Sequence, residues 1–83
     1  MNEDILFTNW LKIAELDLKI EVAENPNSPV NFLEILAKDP DPHIRITVAE
    51  NPNTPTCILK MLVEDSNPWV KMKVVQRLIV SSQ

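Results

Sequence analysis

Val22–Pro29 reads VAENPNSP, and Val48–Pro55 reads VAENPNTP. The second copy begins 26 residues after the first and changes only a serine to a threonine. Such a cluster is either a binding site or a joint between structural units, and its chemistry fits a joint. Pro52 lacks an N–H and drives Asn51 away from helical geometry, so a helix has to stop near Glu50. Asn53 tolerates turn conformations that most residues avoid. Thr54 offers an oxygen as an N-cap, and Pro55 suits the first helical position. The same logic makes Ser28 a cap and Pro29 the start of a helix reaching about Lys38. The competing reading is a surface ligand site using Asn27 or Asn53.

The match continues outside the eight residues. Residues 22–47 align with 48–73 without a gap: VAENPNSPVNFLEILAKDPDPHIRIT over VAENPNTPTCILKMLVEDSNPWVKMK. Phe32, Leu33, Ile35 and Leu36 fall on Ile58, Leu59, Met61 and Leu62, and Lys19, Arg45 and Lys71 form a basic column. A fixed period of this size is the signature of a solenoid, in which each unit buries its apolar face on its neighbours. Each unit holds a second joint: DPDP at Asp39–Pro42 and DSNP at Asp65–Pro68. Asp41 and Asn67 are N-cap candidates there, with Pro42 and Pro68 at first helical positions.

The expected fold is all-α: a right-handed α-solenoid of about three short helix pairs, α/α or α/3₁₀, with a 26-residue repeat. The expected helices are roughly 3–13, 16–24, 29–38, 42–50, 55–64 and 68–80. The chain reads as one domain over residues 1–83. Residues 1–21 form a cap and half repeat, 22–47 and 48–73 the two repeats, and 74–83 a C-terminal cap. One signal competes. Ile44-Arg-Ile46-Thr-Val48 and its counterparts alternate apolar and polar, which is a strand pattern and would give a horseshoe with a sheet. The DP starts and N-P stops are helix punctuation, and Ile44 and Val48 also sit at i, i+4.

Composition narrows the function. The 83 residues suffice for one small domain, which buries only about 60–65% of its unfolded surface. Gly is absent and there are 7 prolines, so the turns are built from Asn and Pro. The net charge of −4 disfavours a nucleic-acid binder, which usually carries a basic excess. A single cysteine cannot form an intrachain disulfide. No apolar run approaches the roughly 20 residues that span a bilayer, and the acidic start MNEDILF is unlike a signal peptide. The expectation is a cytoplasmic protein that makes no use of a membrane.

VAENPNTPxxxLxxL and DPDPHIRITVAENP resemble the leucine-rich repeat variant family, over about Leu16 to Val74. They are more loosely similar to HEAT repeats, whose D-x-x-x-V-R-x-x-A matches Asp41-Pro42-His43-Ile44-Arg45 only in part. The resemblance implies a right-handed superhelix of alternating α and 3₁₀ helices without sheet, and a habit of binding other macromolecules. It supplies no catalytic residues. Some members of the family carry an iron–sulfur cluster on several cysteines. Cys57 is the single cysteine here, so that feature does not carry over and no cofactor is expected.

Candidate chemistry is sparse. His43 has no Cys or His at ligand spacing and aligns with Asp17 and Trp69, a solvent-facing column. Cys57 aligns with Asn31 near the start of its helix, where a helix dipole favours a thiolate; redox sensing there competes with an incidental thiol. The Lys19/Arg45/Lys71 column is either a phosphate-tracking stripe or, because Asp39 and Asp65 share its period, a ladder of ion pairs. No paired carboxylates, nucleophile elbow, phosphate loop or metal motif is present, so no enzyme activity and no metal are expected.

The last helix is the informative one. Val70, Val74 and Leu78 form an inward stripe, and Met72, Val75 and Ile79 form a second. The column Ile20, Ile46, Met72 would be covered by a following unit, but the 26-residue pattern stops after Lys73. Trp69 stands in an otherwise polar column, and Trp is enriched at interface hot spots. The expected function is therefore a non-catalytic protein–protein interaction module or small scaffold. Trp69, Met72, Val75 and Ile79 are the candidate partner-binding residues, for a second copy of the chain or another protein. Nucleic-acid binding through the basic column, or thiol chemistry at Cys57, are the alternatives.

Overall fold

The computed structural model describes residues 15–81. The expected first helix, 3–13, and Trp10 within it lie outside the described residues. Within them the chain is all-helical, with five α-helices and no strand. These are α1 (Leu16–Glu24), α2 (Val30–Leu36), α3 (Pro42–Glu50), α4 (Thr56–Leu62) and α5 (Pro68–Ser81). The alternating segments 44–48 and 70–74 lie inside α3 and α5, so the helical punctuation overrides the strand pattern. The short helices are α-helices, with no 3₁₀ segment among the described residues.

The helices lie in two layers. In one, α1 packs on α3 and α3 on α5; α2 and α4 form the other and pack against them. Leu33 and Leu36 of α2, Ile44 and Val48 of α3, Leu59 and Leu62 of α4, and Val70 and Val74 of α5 are buried in one core between the layers. Burying each such side chain is worth about 1.5–3 kcal/mol, and the turns exist to bring these stripes together.

The two kinds of joint behave differently from each other. At the aspartate joints the expected caps form. The Asp41 carboxylate accepts from the His43 N–H at 2.9 Å, and the Asn67 side-chain oxygen accepts from the Trp69 N–H at 2.8 Å. Pro42 and Pro68 then open α3 and α5.

At the N-P-N-S/T-P joints, the expected serine and threonine caps are replaced. Pro29 and Pro55 are themselves extended, with ψ of 148° and 162°, so α2 and α4 begin one residue later and have no side-chain cap. Ser28 and Thr54 are buried and act as donors. Ser28 Oγ gives a 2.6 Å bond to the Val22 carbonyl, and Thr54 Oγ1 gives a 2.7 Å bond to the Val48 carbonyl. The last carbonyls of a helix lack partners within it, and each hydroxyl is aimed back at one of them, at Val48 alongside the Asn51 N–H, which bonds the same carbonyl at 3.1 Å. The turns also need no left-handed residue, because no described residue has a positive φ. Asn25 and Asn51 are extended instead, with ψ of 117° and 125°, as the following proline demands. Their side-chain oxygens accept from the N–H two residues on, at Asn27 and Asn53.

Candidate functional site

The basic column forms the ladder. Lys19 Nζ lies 2.7 Å from Asp39 Oδ2, and Arg45 Nε lies 2.7 Å from Asp65 Oδ2, each pair spanning 20 residues. The Arg45 and Asp65 side chains are only 14% and 8% exposed. Arg45 also donates from Nη1 to the Asp39 carbonyl at 2.7 Å and from Nη2 to the second Asp65 oxygen at 3.1 Å. It therefore ties the joint before α3 to the joint before α5. Burial pushes the Asp65 carboxyl up, but the Arg45 hydrogen bond, the Asn67 N–H and the charges of Arg45 and Lys71 outweigh it. The carboxyl sits below its ordinary value. Two of the three cations thus face carboxylates, and Lys71 alone is exposed. A phosphate-tracking stripe has little left to work with.

The N-P-N motif is also structural. The buried Asn51 amide donates to the Ala23 carbonyl at 2.7 Å and the Asn25 carbonyl at 2.9 Å, across the boundary between the two copies. The Asn53 amide donates to the Ser28 carbonyl at 2.8 Å. Asn27 is exposed. Sequence reasoning missed the Asn51 contact and its counterpart at Arg77, which donates to the carbonyls of Ala49 and Asn51, both at 2.9 Å. The signal was available, since Asn25, Asn51 and Arg77 share one column of the 26-residue alignment.

Cys57 is an exposed thiol at the second residue of α4, one position nearer the helix start than expected. His43 is exposed, on the first turn of α3. Among the described residues no cluster of His, Cys, Asp and Glu could hold a metal ion, and no helix is long and apolar enough to cross a membrane.

The four predicted partner-binding residues are all exposed: Trp69 by 64%, Met72 by 44%, Val75 by 46% and Ile79 by 54%. At about 100° per residue they fall on one side of α5, opposite the buried Val70 and Val74. Comparison within the layer explains the exposure. Val75 stands in the column of Ala23 and Ala49, which are fully buried in α1 and α3. Each of those helices has another packed beyond it in the layer, whereas α5 has none among the described residues. Between α3 and α5 the stripe opens into a groove of about 510 Å³, lined by His43 and Ile46 from α3 and by Trp69, Met72, Lys73 and Gln76 from α5. Its walls are chiefly apolar and hold no carboxylate.

Comparison with known proteins adds no relative: no family model, no curated protein and no solved structure matches the chain.

Proposed function

We propose that this chain is a small α-solenoid of 26-residue units, of the leucine-rich repeat variant type, that acts as a non-catalytic protein-binding module in the cytoplasm. The repeated hydrogen bonds support the architecture. Asn51 and Arg77 each reach carbonyls 26 and 28 residues back, and the two ion pairs of the ladder have one spacing. The observation that carries the function is the exposed stripe Trp69, Met72, Val75 and Ile79 on α5. Each large side chain left in water forgoes about 1.5–3 kcal/mol of burial, and an exposed apolar patch of this kind usually marks an interface.

The test is affinity capture from native cell extract with the wild type and with Met72→Glu/Ile79→Glu, far-UV circular dichroism confirming that both are folded. A protein retained by the wild type and lost by the variant supports the reading. Equal retention by both, or retention of nucleic acid alone, counts against it.

A further inference from the structure

We propose that the occupant of the α5 surface is an acidic amphipathic helix of another protein, with a large apolar side chain seated in the groove between α3 and α5. This rests on the protein-binding reading above and gives the partner its chemistry. Helix α5 carries Lys71, Lys73 and Arg77 and no acidic residue, in a chain whose net charge is −4. The charges are placed with the stripe. At about 100° per residue, Lys71 borders its Val75 edge and Lys73 its Trp69 edge. Lys71 is exposed, and Lys73 makes only a long 3.4 Å contact with Glu50 through side chains that are both about half exposed. Such a surface pair is weak and exchanges readily for a carboxylate of a partner. An apolar floor with a cation along each border fits a helix whose apolar face is flanked by Asp or Glu.

The same charges work against a second copy. A two-fold contact would lay α5 on α5 and set the lysine borders of one chain against those of the other, with no carboxylate on either helix to relieve them. Head-to-tail stacking is opposed by Val75, where α1 and α3 place alanine. The groove of about 510 Å³ has room for one or two large side chains, with the exposed Trp69 forming part of its wall.

The test uses a displayed library of random peptides about 16 residues long, enough for about four helical turns, selected on the intact chain. The expected winners carry apolar residues at i, i+3/i+4, i+7 with Asp or Glu beside them. Lys71→Glu/Lys73→Glu and, separately, Met72→Ser should each weaken them about ten-fold or more in Kd, with circular dichroism unchanged. Enrichment of neutral or basic peptides, or affinities indifferent to the lysine reversal, overturns the proposal. So does a concentration-dependent dimer in light scattering that Met72→Glu dissociates; in that case the binding module stands and its occupant is a second copy. Retention of DNA or RNA that the lysine reversal abolishes also overturns it. Failure of both the peptide selection and the variant-sensitive capture brings down the binding-module reading itself.

Discussion

Arg77 occupies the column of Asn51 and makes the same pair of bonds one repeat later. Asn51 donates to the carbonyls of Ala23 and Asn25, and Arg77 to those of Ala49 and Asn51. A short amide serves where the chain turns. A long guanidinium serves where α5 runs on as helix through the positions at which earlier copies turn. Asn51→Ala should therefore destabilise by about 2–4 kcal/mol, because it leaves two carbonyls and the Asn53 N–H without their partner. Arg77→Leu should cost about 1–3 kcal/mol. Urea unfolding checks both: the midpoint falls while the slope stays constant.

The threonine in the joint gives a sharper test, because two geometries make opposite forecasts. An N-cap accepts a hydrogen bond, so aspartate would replace it well. The Thr54 hydroxyl donates, to the Val48 carbonyl, and is buried. Thr54→Asp should thus be strongly destabilising, and Thr54→Val should cost about 1–3 kcal/mol, while Thr54→Ser is mild. Thermal melts of the three variants decide it; an Asp variant as stable as wild type would restore the cap.

The ladder predicts an acid limb. The Asp65 carboxyl is held below its ordinary value in the folded chain. Its stabilising contribution is therefore complete above the unfolded-state value of about 3.9, and is lost as pH falls below that toward the lowered folded value. Asp65→Asn should flatten the stability profile in that range and leave neutral-pH behaviour lower but level. Arg45→Ala should cost about 1–3 kcal/mol at neutral pH by leaving a mostly buried carboxylate short of a donor. Urea midpoints across the acid range measure both.

Leu36 is 1% exposed at the centre of the core, so Leu36→Ala should cost about 2–5 kcal/mol. Because a single core runs through both layers, the loss should appear in every helix. Hydrogen exchange showing loosening confined to α2 would contradict a shared core.

The sequence was most legible where a rule had only one outcome. Pro42 and Pro68 follow Asp41 and Asn67, and this pairing fixed the starts of α3 and α5. Pro26 and Pro52 fixed the ends of α1 and α3 at Glu24 and Glu50. Pro29 and Pro55 were ambiguous, since proline serves equally as the extended residue before a helix or as its first residue. The far ends of α2 and α4 were placed too late because nothing there breaks a helix. Ala37 and Val63 keep helical angles, but the next N–H groups bond three residues back, Lys38 to Ile35 and Glu64 to Met61. The exposed stripe was legible as an interruption of the repeat. The groove beside it was not, since it depends on how far apart α3 and α5 hold His43 and Trp69.

The bonds that cross from one copy to the next draw only on backbone carbonyls and on residues that the repeat itself supplies. A further 26-residue copy inserted between Thr47 and Val48 would find each donor and acceptor already waiting at both of its edges. Arg77 would meet the carbonyls of the copy before it, as it does now. On the solenoid reading proposed above, a chain lengthened by one such copy should fold and carry the α5 surface 26 residues further along.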